Sequence, residues 1–230
     1  MKITSNTIVR DGMPFIDLVL RQVEPFVDEM VITLSMKSKD GTSSAINRFV
    51  NEFPVKTKLY YEDVEVLSLL TYVRQNQLEV SNGDWILFLD DDDFWPEESL
   101  KKLRKLLNSN EDVDGYSFRP YQVIDEYSYD TTWNNKYFTK LFKNQEGVCY
   151  RGWWPRDVIY KGKDLLYWKT NKRVKNVDIP FFHLSNIKSG SFRDSNWDGK
   201  YKCEIGKGKR YPEEYQIYVD KIYEYARRNK

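Results

Sequence analysis

The sequence predicts an α/β fold, a mixed and mainly parallel sheet flanked by helices. Two observations carry that expectation. Across residues 1–107, short apolar runs of strand length alternate with longer segments of helical periodicity, as in a parallel sheet covered on both faces. The run Trp85–Leu89, "WILFL", then has the unbroken apolar character of a central strand buried on both sides, and it ends in four aspartates, Asp90–Asp93. The chain has 230 residues, no internal repeat and no linker-like segment, so one continuous unit over 1–230 is expected.

The elements follow in order. Ile3–Val9 reads as the first strand. After Asp11-Gly12, Pro14 can open a helix with Phe15, Leu18, Val19, Val23 and Phe26 on one face. Met30–Leu34 is a second strand, followed by the polar loop "SMKSKDGTSS" and a helix through Ile46, Phe49 and Val50. A strand is expected at Val55–Tyr61 and a helix from about Val66 to Val80, stopped by "SNGD". Beyond the aspartates, Pro96 with Glu97 and Glu98 opens a helix that buries Leu100, Leu103 and Leu107. The second half is less regular: strand-like pieces at Tyr116–Ile124 and Tyr137–Phe142, then the aromatic and basic stretch "YRGWWPRDVIYKGKDLLYWKTNKR". A final helix from Pro212 places Tyr215, Val219, Ile222 and Ala226 on its buried side.

Composition narrows the function classes. No run approaches the roughly 20 apolar residues of a membrane span, and "MKITSNTIVRDG" lacks the apolar core of a signal peptide, so a cytoplasmic protein is expected. Cys149 and Cys203 alone exclude a disulfide scaffold and a cysteine-rich metal site. The net charge of +1 hides an asymmetry: residues 1–130 hold 14 Lys/Arg against 24 Asp/Glu, and residues 131–230 hold 22 against 11. Most of these charges are solvated surface; a few suit an acidic site that wants a cation beside a basic surface that wants an anion. The P-loop, the dinucleotide fingerprint G-x-G-x-x-G after the first strand and the nucleophile elbow G-x-S-x-G are all absent.

Two unit charges about 4 Å apart repel by roughly 4 kcal/mol at an effective dielectric near 20, so four successive carboxylates need water or a cation among them. One or two would suffice to favour the helix start near Pro96, and four exceed that role. They fall at the carboxyl end of a central strand, where open α/β sheets bind ligands, and hard oxygen donors suit Mg²⁺ or Mn²⁺. His183, the one histidine, lies in "IPFFHLSN" and by itself reads more often as a hydrogen-bonded structural residue than as a ligand.

Several stretches, in order and at fitting distances over most of residues 1–190, resemble family 2 glycosyltransferases of the GT-A fold. "IVRDGMPFIDLVLRQVEPFVDEMVITLSMKSKDGTSSAI" is similar to that family's opening strand, helix, second strand and S-x-D-G-T loop. "RQNQLEVSNGDWILFLDDDD" resembles the approach to its D-x-D-D metal motif, and "KLFKNQEGVCYRGWW" its Leu-Phe-(Arg/Lys)-Asn…Tyr-x-Gly segment. "IPFFHLS" falls where such enzymes often carry a metal-binding histidine.

The resemblance implies a nucleotide-sugar-binding half over 1–125 and an acceptor-side half over 126–230. By position, Val9 and Asp11 would line the donor base, Asp40 the loop near it, and Arg74 the uracil or diphosphate. Asp90 would face ribose or sugar, Asp91 would belong to the same donor-binding triplet, and Asp92 would bind Mn²⁺ or Mg²⁺ with His183 as a further ligand. Ser35 stands where an aspartate commonly reads the base, Gln75 replaces an asparagine, and "WWPRD" replaces a His-Glu pair, leaving Asp157 as the nearest general base. Trp153 and Trp154 could stack on acceptor rings.

The implied activity is inverting sugar transfer from a nucleotide-diphosphate donor, UDP-sugar favoured, to a hydroxyl of a saccharide or glycolipid. A nucleic acid acceptor is an alternative, because residues 151–175 and 200–210 mix Lys/Arg with Tyr and Trp. A sugar-phosphate nucleotidyltransferase would need a glycine-rich basic loop that residues 8–14 lack, and a non-catalytic binding module of the same fold is the remaining rival.

Overall fold

A computed structural model describes residues 1–63, 70–109, 111–131, 136–152, 158–166, 171–185, 187 and 208–229. Strands β1 (Ile3–Val9), β2 (Glu29–Ser35), β3 (Thr57–Glu62) and β4 (Trp85–Phe88) run parallel in the order β4-β1-β2-β3. Between them lie α1 (Ile16–Val23), α2 (Thr42–Glu52) and α3, described over Leu70–Val80. Then come the short β5 (Asp93–Phe94), α4 (Glu97–Leu107) and the long β6 (Gly115–Val123). The chain continues through β7 (Ser128–Asp130), β8 (Phe138–Lys143), β9 (Val148–Arg151), β10 (Val158–Lys161), β11 (Asp164–Leu165), β12 (Val174–His183), β13 (Gly208–Arg210) and α5 (Glu213–Arg228). β8 joins the two halves of the sheet, antiparallel to β4 on one side and to β6 on the other.

The period-2 alternation of a strand explains why the run at Trp85 is apolar throughout. Trp85, Leu87 and Leu89 enter the main core with α1, α2, α4 and α5, while Ile86 packs on the other face with Leu78 of α3, Phe142 and Tyr150. Helix α4 starts after Pro96, has Glu97 and Glu98 in its first turn and Arg104 and Lys105 in its last, and buries Leu100, Leu103 and Leu107. Those charges complement the helix dipole, and each buried leucine contributes roughly 1.5–3 kcal/mol. α5 likewise buries Val219, Ile222 and Ala226.

Three features differ from the sequence expectation. β3 begins at Thr57, and Val55 is fully exposed in the preceding turn. Part of the aromatic and basic stretch is regular, because β9, β10 and β11 form a separate antiparallel sheet. β12 was not foreseen: it runs parallel to β6, with a register shift between Val177 and Phe181 that accommodates Pro180.

Candidate active site

The carboxyl ends of β1, β2 and β4 open on the same edge of the sheet, and the aspartates continue directly from β4. Asp93 already belongs to β5, which pairs with β12 so that Asp93 stands opposite His183. That ladder, together with the Leu184 amide donating to the Asp92 carbonyl at 2.8 Å, delivers the histidine to the aspartates from 90 residues away.

Asp93 is the buried hub. Its side chain is 0% exposed. One oxygen lies 2.8 Å from His183 Nδ1, and the other accepts from Lys140 Nζ at 2.5 Å. Lys140 also donates to Asp90 at 2.5 Å, and Arg74 reaches the second oxygen of Asp90 at 3.8 Å. Both cations lie over the Phe88 ring, Arg74 at 4.4 Å and Lys140 at 4.6 Å from its centroid. The contact of His183 Nδ1 with the Asp93 carboxylate fixes the orientation of the ring. Asp92 completes the group, with Oδ1 3.4 Å from the same ring nitrogen.

The charges respond to these contacts. Burial pushes the Asp90 carboxyl up, but Lys140 and Arg74 outweigh it and hold the group below its ordinary range. At Asp93 burial wins, aided by the Asp90 charge, and the carboxyl is raised. Burial alone would lower Lys140 and His183; Asp90 and Asp93 raise the lysine, and Asp92 and Asp93 raise the imidazole.

The residues expected on the nucleotide side lie next to this group. Val9 is fully buried at the end of β1. Asp11 has a φ of 49°, a conformation aspartate tolerates, and its carboxylate accepts the Lys39 amide at 2.7 Å. Asp40 accepts the amides of Met13 at 3.0 Å and Thr42 at 2.9 Å, so it braces the β1 and β2 loops against each other. Ser35 is fully buried, with its hydroxyl accepting the Lys37 amide at 3.2 Å. Gly12 lets the acidic turn come close, since a Cβ there would sit 3.3 Å from Asp91 Oδ2 and 2.7 Å from Val9 Cγ2.

The structure thus brings Arg74, Asp90, Asp92 and His183 into one connected group and sets Asp91 against the Asp11–Gly12 turn. Trp153, Trp154 and Asp157 lie outside the described residues. Sequence reasoning missed Lys140 and the role of Asp93. A cleft beside the group has Asp90, Asp93, Lys140 and His183 on its polar side and Pro120, Phe138 and Phe181 on its apolar side.

Among the described residues, ligand atoms of Asp92, Asp93 and His183 lie within 4.8 Å of one another. Two carboxylates and one imidazole fit a divalent ion. Asp92 is the more available carboxylate, because Asp93 is engaged by Lys140 and His183.

A family model described as Glycosyl transferase family 2 matches residues 14–152, more than half of the chain. The chain belongs to glycosyl transferase family 2. A family relative in Mycoplasma pneumoniae, named as an uncharacterized glycosyltransferase (MG060 homolog), is 28% identical over 131 residues, 54% of this chain and 42% of its own. S. aureus TarS superposes on 81% of this chain and 38% of its own, with 15% identity and a TM-score of 0.57. Its 1–349 fragment covers 81% and 62%, with 14% identity and a TM-score of 0.55. This family 2 chain therefore spans less than half of the M. pneumoniae relative, and the TarS likeness bears out the expected GT-A-like architecture. No helix among the described residues is long and apolar enough to cross a membrane.

Proposed function

We propose that this protein is a metal-dependent, inverting glycosyltransferase that moves a sugar from a nucleotide-diphosphate donor, UDP-sugar favoured, to a hydroxyl of a saccharide or glycolipid. The observation that carries this reading is the convergence of Asp92, Asp93 and His183 at the carboxyl edge of the central strand, beside the Asp11–Gly12 turn. Asp92 and His183 would hold Mn²⁺ or Mg²⁺. When bound, that ion supplies charge neutralisation to the departing diphosphate.

The chain's own residues do the rest. Val9, Asp11, Ser35 and Asp40 shape the nucleotide wall, with Asp11 and Asp40 acting by bracing its loops. Arg74, held over the Phe88 ring, presents a positive charge to the diphosphate. Asp90 and Asp91 orient the ribose and the sugar. Asp157 takes the acceptor proton as the new bond forms at the anomeric carbon opposite the breaking bond to the diphosphate, which inverts the centre. Trp153 and Trp154 offer stacking surfaces to the acceptor.

The test is Asp92→Asn in a donor-hydrolysis and transfer assay with Mn²⁺. The rate should fall by at least on the order of a hundredfold. An unchanged rate refutes the reading.

A further inference from the structure

The acidic cluster contains its own cation. The ammonium of Lys140 lies 2.5 Å from both Asp90 and Asp93, and its side chain is 7% exposed. It is confined between the rings of Phe88 and Phe181, 4.6 and 5.4 Å from their centroids. Asp93 cannot turn away, because its other oxygen is held by His183. A lysine so enclosed is a fixed charge, unlike a surface lysine that rotates into water.

We propose that Lys140 is a built-in counter-cation. It holds Asp90 and Asp93 in place before any metal arrives, and it weakens the site for a free divalent ion, so that the ion enters together with the diphosphate rather than ahead of it. The inference rests on the donor-site reading above. The physical reason is that a positive charge a few ångströms from the metal position repels an incoming cation, whereas a diphosphate brings the negative charge that restores the balance. Lys140 acts through the two aspartates and is a positioning residue.

The test compares wild type, Lys140→Met and Lys140→Arg, with two readouts besides turnover. The first is Mn²⁺ affinity of the nucleotide-free protein, measured by electron paramagnetic resonance of the free ion. The second is the unfolding temperature in EDTA and in Mn²⁺. Lys140→Met should bind Mn²⁺ on the order of tenfold more tightly than wild type. In EDTA its unfolding temperature should fall by roughly 10 °C, because two buried carboxylates lose their partner. About a hundredfold excess of Mn²⁺ over Kd should restore roughly 5–10 °C of that loss. Lys140→Arg should keep wild-type metal affinity and stability in EDTA.

Equal Mn²⁺ affinity in wild type and Lys140→Met, or a loss of stability that Mn²⁺ does not rescue, overturns the proposal. Should Lys140→Met fail to fold with or without Mn²⁺, the double variant Lys140→Met/Asp93→Asn decides. Recovery of the fold shows that an uncompensated buried charge was the defect and supports the proposal; no recovery overturns it. Mn²⁺ rescue of Lys140→Met in a protein whose wild type binds no nucleotide would refute the donor-site reading while supporting the role of Lys140.

Discussion

The strands that carry Lys140 and His183 to the site are tied down at their far ends by Asp114, and acid should loosen that tie in a calculable way. The Asp114 side chain is 2% exposed and takes hydrogen bonds from Arg173 Nε at 2.9 Å, Gln145 at 3.0 Å and Lys161 at 3.0 Å. It thereby joins the start of β6 to the turn after β8, to β10 and to the entry of β12. Burial pushes its carboxyl up, but the bonds from Arg173, Gln145 and Lys161 outweigh burial and bring its pKa from 3.8 to about 2. At 1.36 kcal/mol per unit, the bound carboxylate contributes about 2 kcal/mol. Because the folded pKa is depressed, the contribution is complete above the unfolded value and is lost as pH falls from about 4 through about 2. Asp114→Asn should therefore be about 2 kcal/mol less stable than wild type near neutral pH. Urea unfolding of both proteins from about pH 6 to about pH 2 measures the gap, which should close at the acid end. A gap that stays constant with pH would refute the assignment of this stability to the Asp114 charge.

Two further substitutions test the packing around the site. Gly83 enters β4 so closely that a Cβ would lie 2.5 Å from the Thr4 amide nitrogen and 2.9 Å from the Trp85 carbonyl, so Gly83→Ala must part β1 from β4. It should cost at least about 2 kcal/mol in urea unfolding, and a neutral result would show that the strand entry yields freely. The buried Tyr150 hydroxyl has no hydrogen-bond partner among the described residues, so Tyr150→Phe should gain on the order of 1 kcal/mol in calorimetric unfolding, and a loss would expose a partner for the hydroxyl.

Much of residues 1–125 was legible because local chemistry and tertiary position agree there. The bounds of β1 follow from Ile3–Val9 itself, and α4 follows from Pro96, its acidic first turn and three leucines at helical spacing. The place of Asp90–Asp93 at a strand end needed only the apolar run before it. Lys140 was not legible, since Thr139-Lys140-Leu141 reads as an ordinary strand in which the lysine would face water, and nothing local reveals that it turns inward to Asp90 and Asp93. The one available signal was the repulsion within the aspartates, which demands a cation from somewhere. β12 was hidden by Pro180, a residue that argues against a central strand and is tolerated here at a register shift. The contact of His183 with Asp93 depends on strand register between distant segments, which no local pattern encodes.

The central claim is that the aspartate cluster binds a nucleotide diphosphate through a divalent ion. Calorimetric titration of UDP, GDP and dTDP, each with Mn²⁺ and with EDTA, tests it most directly. UDP should bind in Mn²⁺, and EDTA should abolish the heat. Binding of every nucleotide equally well in EDTA, or of none in either condition, would contradict it.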